Sequence, residues 1–229
     1  MTAATWSDRA ADPLVVNVNE GATVDSVRMV LSGRGTVRGV VVDVSGEPVP
    51  YAPGRAVAEP QTAPHLPVAA MFQTALDGYF TVTLDRPGSG TLQLAVAAPG
   101  RPVGAFRVTP DAEAAITLRV PSRGGELRIV LPPDPAKGLP AYTLFALVND
   151  EGGILMATDL LALGAGSITP DARGTTIRIP SLGSGRWRLA RFADANAAVL
   201  FLAGLAELPV VRTVTVEGGS ITTVDLREP

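Results

Sequence analysis

The chain of 229 residues contains no cysteine, one histidine and one lysine, Lys137. The lack of cysteine excludes disulfides, thiol nucleophiles and thiolate metal sites, and it is compatible with any cellular compartment. The remaining basic residues are arginines scattered along the sequence, and the net charge is only −3, so the chain has no nucleic-acid footprint. No apolar run reaches the roughly 20 residues of a membrane span, and the longest, from Ala195 to Ala206, is too short.

The N-terminal sequence MTAATWSDRAADP lacks the apolar segment of a signal peptide. Two settings therefore stay open, a cytoplasmic protein or a piece of a longer exported one. Hydrophobic residues make up 46% of the chain and charged residues 18%, which excludes a disordered protein. The length fits one large domain or two domains of ordinary size.

Apolar and polar residues alternate in several short runs. Leu127, Ile129 and Leu131 alternate with Glu126, Arg128 and Val130, and the same period of two appears around Ile177 and around Val214. This period is typical of strands with one buried and one wet face. The 24 glycines and 20 prolines separate the runs at short intervals, which predicts an all-β sandwich.

One short phrase occurs twice. DRPGSGTLQLAV at residues 85–96 matches PSLGSGRWRLAR at residues 180–191, with Leu92 and Leu94 falling on Trp187 and Leu189. A second pair matches residues 108–118 with residues 216–226, and a looser third copy covers 18–29. Each copy of this second phrase has a pattern that predicts a strand, followed by a turn and then a closing strand. The sequence therefore predicts tandem, related β-modules.

The two copies of the second phrase lie farther apart in the sequence than the two copies of the first. About 13 extra residues must therefore lie between Leu189 and Val216. They include most of DANAAVLFLAGLAEL, whose alanines and leucines favour a short helix inserted in the second module. We predict modules at 32–121 and 122–229. Residues 1–31 are predicted to be a terminal strand pair resembling the end of a preceding module.

The first module carries a family pattern. GTVRGVVVDVSGEPVPYA at residues 35–52 and TALDGYF at residues 74–80 resemble the carboxypeptidase regulatory-like domains, whose fold is a prealbumin-like (transthyretin-like, Ig-like) β-sandwich. The second module fits more loosely, with LVNDEGG at residues 147–153 standing for the first turn. The resemblance implies accessory modules of larger bacterial envelope or secreted proteins, and it says little about function.

The acidic residues of these patterns are typical of turns. Asp43, Asp77 and Asp171 lie in short stretches that contain glycine or proline, where a carboxylate can bond its own backbone. Gly39 lies within a strand, which predicts a bulge or a close approach by a neighbouring chain. Asp150 and Glu151 are too few to form a calcium loop. We therefore predict no metal and no cofactor.

The sequence offers no catalytic constellation. His65, the only histidine, lies in the proline-rich stretch QTAPHLPVA, whereas a catalytic triad holds its histidine rigidly between two partners. Aromatic residues account for only 5% of the chain. We expect Phe80 and Trp187 to face the core, which leaves Trp6 and Tyr51 as candidates for stacking on a sugar.

The predicted insertion holds the candidate partner-binding residues, Val199, Leu200, Phe201 and Leu202. They are expected to pack as a helix on the second module, or alternatively to form an apolar patch that docks a protein.

We predict a non-catalytic structural or interaction module, extracellular or in the cell envelope if it belongs to a larger protein. Its partner would be another protein or its own copies, with polysaccharide as a further candidate. The first alternative is a subunit that polymerises by β-strand addition through residues 1–31. The second is a carbohydrate-binding module.

Overall fold

In the residues that the structure describes, the protein is all-β apart from two short helices, and it forms two tandem β-sandwiches, as the sequence predicted. The computed structural model describes residues 9–11, 31–58, 69–85, 91–109, 115–132, 144–171, 174–202 and 206–227.

The first sandwich consists of sheet 1 and sheet 2. Sheet 1 contains β1 (Arg9–Ala11), β2 (Leu31–Val42), β5 (Tyr79–Asp85) and β8 (Ile116–Arg119). Sheet 2 has the order β4-β3-β6-β7 and contains β3 (Pro53–Ala58), β4 (Ala69–Gln73), β6 (Leu92–Val96) and β7 (Gly104–Val108).

The second sandwich consists of sheet 3 and sheet 4, with helix α1 (Ala157–Ala162) following β11 and helix α2 (Ala195–Leu202) following β14. Sheet 3 has the order β12-β13-β9-β16 and contains β9 (Gly124–Leu131), β12 (Ser167–Asp171), β13 (Gly174–Gly183) and β16 (Ile221–Asp225). Sheet 4 has the order β11-β10-β14-β15 and contains β10 (Phe145–Asn149), β11 (Ile154–Met156), β14 (Gly185–Arg191) and β15 (Val210–Val216).

The two sandwiches repeat one topology. In the first, β2 pairs antiparallel with β5 and parallel with the closing strand β8. In the second, β9 pairs antiparallel with β13 and parallel with β16. Sheet 2 and sheet 4 also have corresponding strand orders, and β12 is an addition of the second sandwich. The sequence repeats therefore mark equivalent strands of two related modules.

The repeated phrase places equivalent side chains in both cores. Leu92 and Leu94 on β6, like Trp187 and Leu189 on β14, are buried. Gly183–Gly185 joins β13 to β14, whereas residues 88–90 lie outside the described residues. The second phrase corresponds to β7–β8 and β15–β16, and its third copy, residues 18–29, also lies outside the described residues.

One alignment predicted from the turn sequence is wrong. LVNDEGG was expected to match the first turn of the module, but it joins β10 to β11, and the equivalent connection in the first sandwich is the one between β3 and β4. Because asparagine, aspartate and glycine favour turns in any hairpin, their presence does not reveal which hairpin they close.

Alternating burial explains most strands. β9 alternates residue by residue between buried and half-buried positions, which fits one face in the core. β6 differs, because all five of its residues are buried. A strand buried on both faces needs a second layer over its outer face, and the second sandwich supplies that layer.

Helix α2 lies within the predicted insertion and confirms the expected helix. Helix α1 was not predicted. It is only six residues long, and the carboxylate of Asp159 accepts a hydrogen bond from the backbone N–H of Met156 at its start, with an N···O distance of 2.9 Å.

Candidate functional site: the junction between the sandwiches

The outer face of sheet 2 belongs to the core of the second sandwich. Ala95, Val103 and Ala105 are almost completely buried, and they join the same apolar cluster as Leu155 and Trp187 of the second sandwich. β11 of the second sandwich packs beside β6 and β7. The core of the second sandwich therefore extends across the junction to residues of the first.

Backbone pairing also crosses the junction. Val103 forms a parallel bridge with Leu182. Its N–H donates to the carbonyl of Ser181 at 2.8 Å, and its carbonyl accepts from the N–H of Gly183 at 3.1 Å. These bonds join the connection between β6 and β7 to the end of β13.

Two amide side chains add polar contacts from one module to the other. The Gln93 amide group donates to the carbonyl of Gly152 at 3.2 Å, and its oxygen accepts from the N–H of Ile154 at 3.0 Å. From the other side, Asn149 Nδ2 donates to the carbonyl of Ala105 at 2.8 Å. The turn between β10 and β11 is thereby fixed on sheet 2.

A buried ion pair joins the modules near helix α1. The guanidinium of Arg55 on β3 contacts the carboxylate of Asp159 on α1, and Asp159 is only 1% exposed. Burial raises the pKa of the Asp159 carboxyl above its ordinary value, while attraction to Arg55 and the Met156 N–H act in the opposite direction. A buried carboxylate of this kind depends on its partner, because an uncompensated charge in the interior is costly.

The covalent linker between the modules is short and bonded at both ends. The N–H of Val120 donates to the carbonyl of Val42 in the first sandwich, and the carbonyl of Arg123 accepts from the N–H of Ser184 in the second. Ser184 Oγ also bonds the Arg123 carbonyl, at 3.0 Å. The linker therefore follows a fixed path.

Two glycines allow prolines to approach closely beside this linker. A Cβ on Gly183 would lie 2.8 Å from Pro121, and a Cβ on Gly124 would lie 2.7 Å from Pro102. Real Cβ atoms do not come so near to other carbons, so both positions require glycine or a shift of the backbone. Gly183, which belongs to the repeated phrase, is thus needed for close packing at the junction.

A groove of about 340 Å³ opens at the junction. Its polar side chains are Arg101, which donates to the carboxylate of Asp43 at 3.0 Å, and Ser181. Among the described residues that line the groove, no nucleophile is paired with a general base, which catalysis of acyl transfer would need. Its wall is mainly apolar, formed by Pro53, Ala97, Ala98, Pro99, Gly100, Val103, Leu163, Gly164, Ala165 and Pro180.

The predicted partner-binding residues lie away from this junction, on α2. Phe201 and Leu202 pack on a small cluster that includes Phe192, and the ring centroids of Phe192 and Phe201 are 5.4 Å apart. Leu200 is half-buried, and the side chain of Val199 lies outside the described residues.

Most of the acidic candidates occupy turns, as predicted, but Asp171 is the last residue of strand β12 and pairs with Gly174. Asp43 Oδ1 accepts from the N–H groups of Ser45 and Glu47, and these bonds, with those of the Ser45 hydroxyl and Arg101, lower the pKa of the Asp43 carboxyl. Asp77 accepts from the N–H of Tyr79. Asp150 and Glu151 lie exposed in the turn between β10 and β11.

The remaining candidates divide between the core and the surface. Phe80 and Trp187 are buried, as expected, whereas Tyr51 is exposed. Glycan binding through that ring stays a prediction. His65 and Trp6 lie outside the described residues. In the part of the chain that the structure describes, no three His, Asp or Glu side chains are grouped as a metal site would need, and no helix is long and apolar enough to cross a membrane.

The sequence analysis missed the polar residues of the junction, Arg55, Gln93 and Asp159. The available signal was Gln93, a polar residue within the apolar run LQLAV. A polar side chain in a strand buried on both faces needs a hydrogen-bonding partner, and that requirement indicates a second layer.

No family model matches the sequence, and no curated protein matches it. Three solved structures show low similarity. The Bacillus anthracis TIE protein is 16% identical with a TM-score of 0.29, and the match covers 89% of this chain but only 38% of that one. A streptococcal ancillary pilin is 13% identical with a TM-score of 0.32, covering 90% and 68%. The minor pilin GBS52 of Streptococcus agalactiae is 16% identical with a TM-score of 0.27, covering 83% and 94%. Similarity at this level assigns no function to the chain.

Proposed function

We propose that the chain is a non-catalytic structural module that acts as a rigid spacer or platform within a larger envelope or secreted bacterial protein. The observation that carries this proposal is the packing of Ala95, Val103 and Ala105 of the first sandwich within the hydrophobic core of the second. We propose this setting because the patterns at residues 35–52 and 74–80 resemble those of the carboxypeptidase regulatory-like domains, and residues 32–121 and 122–229 are the proposed modules.

Rigidity follows from the chemistry of the junction. Tandem domains move relative to each other unless their interface is large and hydrophobic. Here apolar packing, the bridge between Val103 and Leu182, and the buried pair of Arg55 and Asp159 act together. Bending at the junction would expose apolar surface and leave the Asp159 carboxylate without its cation, so we expect one fixed orientation.

Distance measurements between spin labels test this proposal directly. The chain has no cysteine, so Leu76→Cys in the first sandwich and Ile221→Cys in the second carry the labels, and both positions are well exposed. A control pair within the second sandwich, Leu161→Cys with Ile221→Cys, gives the width of the distance distribution that is expected of a rigid body. We expect an equally narrow distribution across the junction, and a broad one would refute the spacer.

A variant with a longer linker tests whether packing or the linker fixes the orientation of the two modules. We expect the distance distribution to stay narrow when about ten flexible Gly and Ser residues are inserted between Pro121 and Ser122, because the packed faces fix the modules. Broadening in this variant would show that the short linker alone restrains them.

Self-assembly through residues 1–31 is a second candidate, which the pairing of β1 favours. Arg9–Ala11 form an antiparallel strand on Leu31–Gly33 of the same chain. The same pairing made between chains would exchange β1 and build oligomers. Light scattering of the full chain and of a chain lacking residues 1–31 distinguishes the cases. Large species formed only by the full chain support assembly, whereas monomers in both refute it.

A further inference from the structure

Strand β13 of the second sandwich is paired along its outer edge, which faces away from β9. Strand β12 pairs with Gly174–Arg178 on this edge. Farther along the strand, Val103 of the first sandwich takes the same edge, and its backbone bonds Ser181 and Gly183. One part of the edge is therefore filled from within the module, and another part by an extended segment of the neighbouring module.

The equivalent strand of the first sandwich is β5, and the two strands can be aligned residue by residue. The second repeated phrase matches Ile116 with Val224, and both residues pair with the central strand of their sheet. Counting along the pairs from these positions, Thr83–Asp85 of β5 corresponds to residues 180–183 of β13, which carries a one-residue bulge there. The stretch of β13 that receives Val103 therefore has its counterpart at the end of β5.

The backbone of β5 presents hydrogen-bonding groups along its outer edge. The N–H of Val41 on β2 donates to the carbonyl of Gly78 at 2.9 Å. Because alternate residues of an antiparallel strand bond the same neighbour, the N–H and carbonyl groups of Thr81 and Thr83 point away from β2. Those of Tyr79 are bonded within the preceding turn. In the described part of the chain, β2 is the only strand that pairs with β5.

This edge lacks the features that usually protect a sheet edge in water. Charged side chains and proline prevent the addition of further strands, and the second sandwich has Pro180 at the position that corresponds to Thr83. On β5 both edge positions are threonines. The apolar side chains of Leu76 and Tyr79, at the beginning of the strand, are 72% and 54% exposed. The end of β5 thus combines unprotected backbone groups with a neighbouring apolar surface.

We propose that the outer edge of β5, at Thr81–Asp85, accepts an extended segment of another β-module, which adds to sheet 1 as a strand. The expected segment is the counterpart of the β6–β7 connection, because this connection supplies Val103 to the corresponding edge of the second sandwich. In a second copy of this chain Val103 is only 2% exposed, because it is held in its own junction. The donor is therefore a module outside this chain.

Amide hydrogen exchange of the full chain, followed by NMR, tests whether the edge is open. We expect the N–H groups of Thr81 and Thr83 to exchange quickly, because they point to solvent. Those of Val82 and Leu84, which bond β2, should be protected. Equal protection of all four groups would show that the edge is already covered, and it would overturn the proposal.

A peptide with the sequence of residues 99–107, PGRPVGAFR, is the probe for binding. We expect it to shift the NMR signals of Thr81 and Thr83 as its concentration rises. The matched control peptide carries a methyl group on the backbone nitrogen of the valine, which removes the N–H that Val103 donates at the junction. The control should bind at least about tenfold more weakly. Absent shifts, shifts elsewhere in the chain, or equal binding of the control would each refute strand addition at this edge.

A substitution in the protein identifies the edge from the other side. Thr83→Pro removes an outward N–H, breaks no bond to β2 and reproduces Pro180 of the second sandwich. It should weaken peptide binding at least about tenfold, whereas Thr83→Ala keeps the N–H and should bind as the unmodified chain does. Binding that survives Thr83→Pro would overturn the proposal. If urea unfolding shows that Thr83→Pro does not fold, the N-methylated peptide decides the matter.

This inference rests on the proposed structural role of the chain, but the two can fail separately. The spin-label distances across the junction test the spacer without any peptide. A narrow distance distribution with no peptide binding would refute only the acceptor edge. A broad distribution with peptide binding at Thr83 would refute only the rigid spacer.

Discussion

The rings of Phe72 and Phe80 are stacked, with centroids 4.2 Å apart and planes inclined by 20°. Phe80 lies opposite Gly39 on the neighbouring strand, and Phe72 lies opposite Gly54. The four residues form a column through which the two sheets of the first sandwich meet. The close approach predicted at Gly39 is thus confirmed, and its partner is an aromatic ring that covers the bare backbone of a glycine.

This column predicts that Gly39→Ala and Gly54→Ala destabilise the first sandwich. The added Cβ would lie 2.5 Å from the Phe80 ring in the first case and 2.2 Å from the Phe72 ring in the second. Overpacking of this kind costs about 1–3 kcal/mol. Denaturant unfolding measures the loss, with Thr81→Ala on the exposed face of β5 as control. Glycine variants as stable as this control would contradict the prediction, and Phe80→Leu should partly rescue Gly39→Ala.

The junction pair predicts strong coupling between Arg55 and Asp159. Arg55→Met leaves a buried carboxylate without its cation and should cost about 3–5 kcal/mol at neutral pH, whereas the apolar pair Arg55→Met/Asp159→Leu should recover most of that loss. A double-mutant cycle from urea unfolding gives the coupling energy. Additive effects of the two substitutions would show that the pair contributes nothing.

The same pair predicts a pH dependence. Because burial raises the folded-state pKa of Asp159 above 3.8, the folded protein binds that proton more tightly than the unfolded chain. The stabilisation from protonation is fully present below the unfolded pKa and is lost as pH rises through the folded pKa. The loss in free energy of unfolding that Arg55→Met causes should therefore become smaller as pH falls towards 4. A loss that becomes larger on acidification would contradict the prediction.

For Glu126 on sheet 3 we predict the opposite dependence of stability on pH. Hydrogen bonds from Arg178, with two N···O distances of 2.8 Å, and from Arg128 lower the pKa of Glu126 to about 2. Its contribution to stability is present above the ordinary pKa of 4.5 and is lost as pH falls towards 2. The advantage of the unmodified chain over Glu126→Gln should disappear across this window and weaken in high salt. Glu217→Gln, at an exposed turn position, serves as the control.

Tyr51 predicts a test of backbone strain. It has a φ of +55°, a conformation that costs a residue with a Cβ about 1–2 kcal/mol. Tyr51→Gly and Tyr51→Ala both remove the exposed ring, but only glycine relieves this penalty. We expect the glycine variant to unfold at higher denaturant concentration than the alanine variant. Equal midpoints would show that the turn relaxes without cost.

Patterns in the sequence predicted most of the architecture, because each pattern arises from residues that are close together in the chain. The alternation along β9, the turn at Asp43 and the phrase around Trp187 each depend on residues a few positions apart. The excess between Leu189 and Val216 likewise revealed α2. Helix α1 escaped prediction, since a six-residue helix has too few turns to show a period of its own.

The sequence by itself determined that the chain is all-β, that it contains two related modules, and where glycine, aspartate and aromatic residues are needed within each. Only the tertiary structure decided how the modules meet. Arg55 and Asp159 are separated by about a hundred positions, and no periodicity links them. Their pairing, the burial of Ala95 from its outer side, and the placement of α2 on Ala146 result from packing between distant faces. Such packing depends on the shape of whole sheets rather than on any local pattern.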